Sequence, residues 1–154
     1  MYTNVLPSRR RNYIFSQSDD FISTITAFLQ NNSRKIVRIH EAGDFYSQEY
    51  LNKWKEIVRK ELDTRFYAFT KSHKLTLWEN KPNNLILLQS YGSKYDEEID
   101  ITRNIARVVD ILGQEQNYEY VCPHHEKEFT KCGVSCSYCF SEHPKSKHVA
   151  FLKH

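Results

Sequence analysis

The sequence predicts an α/β fold built from βαβ units with a mostly parallel sheet, closed by a C-terminal cysteine-rich metal-binding segment. Short runs of β-branched and aromatic residues recur along the chain, and stretches with apolar residues at helical spacing separate them. Strands that alternate with helices in this way are typical of a parallel sheet. The closing segment is predicted separately, because all four cysteines of the 154 residues lie between Cys122 and Cys139.

Composition limits the class of protein. The length suits a single α/β domain over 1–154, in which 121–154 is the cysteine-rich metal-binding segment. Hydrophobic residues make up 40% and aromatic residues 14%, which indicates a folded core and excludes global disorder. No apolar run resembles a signal peptide or is long enough for a membrane span. We therefore expect a cytoplasmic protein with reduced thiols, no membrane partner and a mildly basic net charge of +3.

The first half of the chain contains two predicted helices and two predicted strands. Residues 1–17 are expected to form an irregular lead-in that carries three consecutive arginines. Ser18 is predicted to cap a helix that ends near Asn31, and Ser47 to cap a second helix that continues to Leu62. The two strands flank this second helix and are predicted at Lys35–His40 and Arg65–Thr70.

The second half is predicted to add three strands and one helix. Segment 74–80 fits either a short helix or a strand, whereas the uniformly apolar Leu85–Gln89 predicts a buried strand. Apolar residues at helical spacing from Ile101 to Leu112 predict a third long helix, with Gly113 just beyond its end. The remaining strands are predicted at Tyr118–Val121 and Val149–Leu152.

Polar residues follow the predicted strands, where parallel sheets bind ligands. His40 and Asp44 follow the first strand, Lys71 follows the second and Cys122 follows Tyr118–Val121. We expect these residues to share one face. His40 and Asp44 are candidate acid–base groups, and Lys71 is a candidate contact for an anionic substrate. The structural alternative is a packed core histidine at His40, a helix cap at Asp44 and a surface lysine at Lys71.

The cysteines follow the spacing C-x9-C-x3-C-x2-C, at Cys122, Cys132, Cys136 and Cys139. Thiolates at this density are typical ligands of a 4Fe–4S cluster or of a tetrahedral Zn²⁺ ion. The alternatives are a disulfide pair in a secreted domain or four independent buried thiols. We expect metal ligation by all four cysteines, with a 4Fe–4S cluster favoured over Zn²⁺.

Two segments, VRIHEAGDFYSQEYLNKW at Val37–Trp54 and FYAFTKS at Phe66–Ser72, resemble the phage-borne, radical-SAM-like family of gene product 88 proteins. Phe69 stands where that family often has tyrosine. The resemblance implies a partial, TIM-barrel-like barrel, a phage or prophage origin, an iron–sulfur centre and no settled activity. The positions that match the family pattern are Arg38, His40, Gly43, Asp44, Phe45, Tyr50, Trp54, Thr70, Lys71, Ser72, the four cysteines and His154.

The cysteines at Cys132, Cys136 and Cys139 also resemble the cluster motif of radical-SAM enzymes, in which three cysteines leave one iron open for S-adenosylmethionine. In this sequence the motif stands near the C-terminal end, and Cys122 offers a fourth ligand. A cluster held by four cysteines has no open iron and would carry electrons or brace the fold. The N-terminal cysteine motif of longer relatives is absent, so the chain resembles a shortened form.

We therefore predict a phage or mobile-element accessory protein of the host-cell cytosol that binds iron–sulfur or zinc. It is expected to be non-catalytic and to bind a macromolecule, either nucleic acid or a host defence protein. The expected nucleic-acid contacts are Arg9 to Arg11, Arg34, Lys35 and exposed aromatic rings. The alternative is a radical-SAM-like or other α/β enzyme with its site at His40, Asp44 and Lys71.

Overall fold

The structure is a computed structural model that describes residues 5–116, 118–125, 132–141 and 148–153. It is organised around one six-stranded sheet. Short 3₁₀ turns lie at Asp96–Glu98 and Pro123–His125. The α-helices are α1 (Val5–Gln17), α2 (Phe21–Asn32) and α3 (Gln48–Lys60), and the strands are β1 (Ile36–Arg38), β2 (Arg65–Thr70), β3 (Leu85–Ser90), β4 (Ile105–Val109), β5 (Tyr120–Val121) and β6 (His148–Leu152).

The strands lie in the order β1-β2-β3-β4-β6-β5, and every neighbouring pair is parallel. The sheet is curled into a half-barrel, so the expected partial barrel with parallel strands is confirmed. The last strand, β6, lies between β4 and β5, with Ala106 opposite Val149 on one side and Tyr120 opposite Val149 on the other. Strands β1 and β5 therefore form the two edges.

One face of β2 and β3 packs against α2 and α3. Ser47 begins α3 as expected, because its hydroxyl oxygen accepts a 3.2 Å hydrogen bond from the Tyr50 backbone N–H. The apolar stripe of α3 then buries Leu51 and Ile57 completely. This core includes Leu51, Trp54, Ile57 and Val58 from α3 and Phe66, Ala68, Leu85 and Leu87 from the strands.

The opposite face of the same strands packs against the cysteine-rich segment. Side chains alternate between the two faces of a strand, so Phe69 and Leu88 point away from α3. Leu88 belongs to a second apolar cluster with Ala106 and Val149, against which Cys122 and Cys139 pack. The cysteine-rich segment therefore covers the face of the sheet that α2 and α3 leave open.

The predicted third helix over 101–112 is wrong, because Ile105–Val109 forms the parallel strand β4. The apolar residues have helical spacing, but they do not form one buried stripe. Ile105 and Val109 are buried, whereas Val108 is 64% exposed and Ile101 is 72% exposed. The β-branched side chains here pack on a pleated surface between β3 and β6.

Four smaller expectations are also corrected. Residues 5–17 form α1 instead of an irregular lead-in. Ser18 does not cap α2, because its hydroxyl donates to the Phe15 carbonyl at 2.8 Å and so closes α1. Segment 74–80 forms turns, being neither helix nor strand. The first strand covers only Ile36–Arg38.

Only the β1–β2 connection contains an α-helix within the part of the chain that the structure describes. The expected alternation of strands and helices therefore occurs once. No helix among the described residues is long and apolar enough to cross a membrane.

Candidate functional site

A cavity of about 450 Å³ opens where the parallel strands end. Lys71 after β2, Ser90 at the end of β3 and Cys122 after β5 all line it. Of the residues expected to share one face, Lys71 and Cys122 line this cavity, whereas His40 and Asp44 do not. Cys132 adds a second thiol to the wall, and Arg38 at the end of β1 adds a positive charge.

Asp44 lies in the turn after β1 and binds the end of β2. Its Oδ1 accepts hydrogen bonds from the Phe45 backbone N–H and the Thr70 hydroxyl, both at 2.7 Å. Its Oδ2 accepts the Lys71 backbone N–H at 2.6 Å. Asp44 does not cap α3, since Ser47 holds that position. The carboxylate is thus a link between two strand ends, and both oxygens are engaged.

His40 lies on the helix side of that turn with a left-handed backbone, at φ +62°. Its Nε2 forms a 3.0 Å hydrogen bond with the Tyr50 hydroxyl, and its ring packs edge-on against Phe45 and Trp54. Burial lowers the pKa of His40, although the Asp44 charge opposes this shift. These ring contacts agree with the alternative that His40 is a packed core histidine.

Of the three candidate catalytic residues, only Lys71 lines the cavity. Its ammonium donates a 3.3 Å hydrogen bond to the Gly92 carbonyl. Asp44 reaches the backbone of Lys71, and His40 interacts electrostatically with Asp44. The structure therefore connects the three residues in series along the strand ends, while their side chains do not converge on one point.

The four cysteines all lie in the connection between β5 and β6. Cys122 is fixed by its backbone N–H, which donates to the Ala150 carbonyl of β6 at 2.8 Å. Cys132 and Cys136 pair with each other in a parallel β-bridge, closed by a 2.8 Å hydrogen bond from the Gly133 N–H to the Cys136 carbonyl. Cys139 packs with Cys122 against the same apolar cluster. No disulfide links any of the four cysteines.

The thiols interact electrostatically with one another and with a tyrosine. Burial raises the pKa of Cys122, and the charges of Cys132 and Cys136 raise it further. The Tyr120 hydroxyl lies 3.5 Å from the Cys136 sulfur, and this contact together with burial raises the pKa of Tyr120 to about 12. Tyr120 also stacks on Tyr138 with ring centroids 4.2 Å apart. These interactions place the four sulfurs in one shared electrostatic environment.

The side chains are not assembled as a metal site. No group of three or more His, Cys, Asp or Glu side chains within residues 5–116, 118–125, 132–141 and 148–153 is placed to hold a metal ion. The type of donor nevertheless fits a soft metal, because four thiols without a disulfide lie in the one connection between β5 and β6. His154, the last position of the family pattern, lies outside the described residues.

Sequence reasoning did not predict that Arg107 lines the cavity or that Tyr120 contacts Cys136. Arg107 lies within the predicted helix over 101–112, and the structure places it on β4 instead. Tyr120 stands two positions before Cys122. Because side chains two apart in a strand point to the same face, this spacing was the only signal that Tyr120 lies on the side of the cysteines.

Comparison with known proteins gives one family match. A family model described as Gene product 88 matches residues 1–151. Two similar curated proteins are the Gene 88 proteins of Mycobacterium phages L5 and D29, each 32% identical over 71 residues. The matched region covers 45% of this chain but only 28% of each relative, so the chain spans a minor part of their length. No solved structure matches the chain.

Proposed function

This chain belongs to the Gene product 88 family, and we propose that it is a phage-encoded accessory protein that binds a metal centre through Cys122, Cys132, Cys136 and Cys139. The proposal favours a 4Fe–4S cluster, with Zn²⁺ as the alternative. We further propose that the protein acts by binding a macromolecule and not by catalysis. Four thiols without a disulfide also suit the reducing cytosol of a host cell.

The observation that carries the proposal is the grouping of Cys122 with Cys132, Cys136 and Cys139, which lie further along the same β5–β6 connection. Cys122 follows β5, whereas Cys139 lies on the segment that packs over β2 and β3. Both contact one apolar cluster, and the thiol of Cys122 interacts electrostatically with Cys132 and Cys136. This grouping supports ligation of one metal centre by all four cysteines.

The electrostatics favour a cation among these thiols. Four thiolates in one place repel each other, which is why neighbouring cysteine charges raise the pKa of Cys122. A metal ion reverses this effect, because a coordinating thiol is deprotonated by the positive charge. Ligation would require the four side chains to approach one another more closely than in the structure, since no three of these described side chains are placed to hold a metal ion.

A centre held by four cysteines has no open coordination position, so it would serve structure or electron transfer. In the structural role, its binding energy would add directly to folding energy. Contacts from β6 and from two tyrosines would hold the cysteines in place. The Cys122 N–H is tied to β6, and Tyr120 and Tyr138 stack beside Cys136.

The test is to purify the protein without oxygen, record its visible absorption and count iron, sulfide and zinc in the same sample. A broad band near roughly 400 nm with iron and sulfide indicates a cluster, whereas a colourless protein with one zinc per chain indicates Zn²⁺. Cys132→Ser should lower the metal content and the melting temperature, and Ser135→Ala on the same segment is the matched control. A chain that binds neither metal, or that loses no metal in Cys132→Ser, contradicts the proposal.

The enzyme alternative has less support. Catalysis at His40, Asp44 and Lys71 would need a carboxylate that is available to substrate, but both oxygens of Asp44 are engaged by backbone and hydroxyl donors. The radical-SAM likeness of the last three cysteines stays a prediction, because neither matched relative carries that description.

For the macromolecular partner we propose nucleic acid, with a host defence protein as the alternative. The proposal is supported by α1, on which Arg9, Arg10 and Arg11 are all exposed. Their guanidinium groups suit phosphate contacts, and binding of this kind weakens steeply with salt. Binding to a DNA or RNA oligonucleotide that does not change between 50 and 200 mM salt would contradict phosphate recognition.

A further inference from the structure

We infer that the cavity at the strand ends is a binding site for a small molecule that carries a carboxylate or phosphate group beside an apolar portion, with Arg38 and Lys71 holding the negative group. This inference goes beyond the metal proposal, because the residues that carry it belong to the sheet and its strand ends. The cavity volume of about 450 Å³ lies within the usual range for small-molecule sites.

Arg38 presents an available positive charge at one wall. It is the last residue of β1, and its guanidinium carbon lies 5.1 Å from the centroid of the Phe69 ring. This cation–π contact orients the guanidinium without neutralising it. No carboxylate among the described residues forms an ion pair with Arg38. An oxyanion in the cavity could therefore pair with it, and guanidinium geometry suits both carboxylate and phosphate.

Lys71 supplies a second charge from the end of β2. Its ammonium has three donor hydrogens, but with the described residues it forms a single hydrogen bond, of 3.3 Å to the Gly92 carbonyl. Gly92 has a left-handed backbone, at φ +91°, and a Cβ at this position would lie 3.1 Å from Lys71 Nζ. The glycine thus leaves room for the ammonium, which keeps donors free for a ligand.

The other charged groups near the cavity are already engaged. Arg107 also lines it, but its guanidinium is balanced by Glu119, with two contacts of 2.6 Å. Asp44 is bound at the Lys71 backbone, and Asp96 accepts the backbone N–H groups of Gly92 and Ser93 at 2.9 Å. Neither aspartate lines the cavity. Apart from the Cys122 and Cys132 thiols, the charged groups that line the cavity are therefore positive and favour an anion.

Aromatic side chains form the floor and define the rest of the ligand. Phe69 and Phe151 line the cavity and contact each other edge to face, with ring centroids 5.4 Å apart. Ala106 lies beside them and leaves the floor open because its side chain is small. A ligand that is only an inorganic anion would leave this apolar surface uncovered, so we assign an apolar portion to the ligand.

The experiment measures binding of three probes to the full chain by titration calorimetry. The probes are phenyl phosphate, benzoate and the uncharged phenol, and the two anionic probes distinguish phosphate from carboxylate recognition. We expect one of the anions to bind and phenol to bind at least tenfold more weakly. Arg38→Gln and Lys71→Gln should each weaken anion binding by about tenfold or more. Lys60→Gln at the end of α3 removes a positive charge outside the cavity and should leave the affinity unchanged.

Both cavity side chains are exposed, so their substitution should leave the melting temperature of the free protein close to that of wild type. The inference is overturned if neither anion binds, if phenol binds as tightly as the anions, or if Lys60→Gln weakens binding as much as Arg38→Gln. Because no cysteine is changed, the metal content of each variant reports separately on the proposed function.

Discussion

Asp44 Oδ1 accepts the hydroxyl hydrogen bond of Thr70 at 2.7 Å and so joins the turn after β1 to the end of β2. The Ser72 hydroxyl strengthens this junction by donating to the Phe45 carbonyl at 2.7 Å. The junction determines where Lys71 leaves the sheet, because Asp44 also holds the Lys71 backbone N–H. Asp44, which the sequence predicts as a candidate acid–base group, thus fixes the position of Lys71 in the wall of the cavity.

Asp44→Ala is expected to destabilise the protein by about 2–4 kcal/mol, because it leaves the Phe45 and Lys71 N–H groups and the Thr70 hydroxyl without their acceptor. Urea unfolding measures the change. Asp63→Ala removes an exposed carboxylate and should alter stability by less than about 0.5 kcal/mol. If both variants unfold at the same urea concentration, Asp44 is not a structural link.

His40 is expected to make stability depend on pH in the mildly acidic range. Burial lowers its pKa in the folded state, and its buried Nδ1 has no hydrogen-bond partner among the described residues. Above about pH 6.5 the His40 ring is neutral in the folded and in the unfolded protein, so the two states bind the same number of protons there. As the pH falls below that value, the unfolded chain takes up a proton first, so stability decreases.

The measurement compares the free energy of unfolding at pH 7.5 and pH 5.5 for wild type and His40→Asn. Asparagine tolerates the left-handed backbone of this position, and it removes the titrating ring. We expect wild type to lose more stability on acidification than the variant does. Equal losses would show that other groups cause the pH dependence.

Glu119→Gln is expected to destabilise the protein by about 3 kcal/mol, because it leaves Arg107 without its charge partner. The Glu119 side chain is only 3% exposed and contacts Arg107 at 2.6 Å. Burial alone would raise the pKa of Glu119, but hydrogen bonds from Arg107 and the Gln116 backbone hold it below the usual value of 4.5. The stabilisation is therefore complete above about pH 4.5 and is lost as the pH falls towards the lowered pKa.

Asp110→Asn provides the matched comparison for Glu119→Gln. Asp110 forms a 3.0 Å ion pair with Lys153, and both side chains are about 70% exposed, so its removal should cost less than about 1 kcal/mol. Denaturant unfolding at pH 7 and pH 4 separates the two variants. Similar costs at pH 7 would mean that the Arg107–Glu119 pair is no more important than a surface pair.

Local patterns predicted the strands well and failed where tertiary context decides the structure. The buried runs of β2 and β3 could be recognised because both faces are covered, by α3 on one side and by the cysteine segment on the other. The strand β4 carries Arg107 and the exposed Val108, and its apolar spacing matched a helix by chance. Its position between β3 and β6 comes from pairing that no local pattern contains.

The helix α1 was missed for a different reason. Pro7 and the arginines give it no clear apolar stripe, yet proline is compatible with the first turn of a helix, where its missing N–H costs little. At the site, cysteine spacing and strand ends predicted the grouping of Lys71 with Cys122. The pairing of Arg38 with the Phe69 ring depends on adjacent strands and could not be predicted.

The place of β6 inside the sheet has a consequence for synthesis of the protein. The strand pairs with β4 and β5, both of which precede it in the chain. While a ribosome is still making residues 148–152, one edge of β4 has no partner and β5 has no neighbour in the sheet. Open edges of this kind invite pairing with other chains. The half-barrel is therefore exposed to aggregation until its last strand emerges, and a nascent chain that stops before β6 keeps that exposed edge.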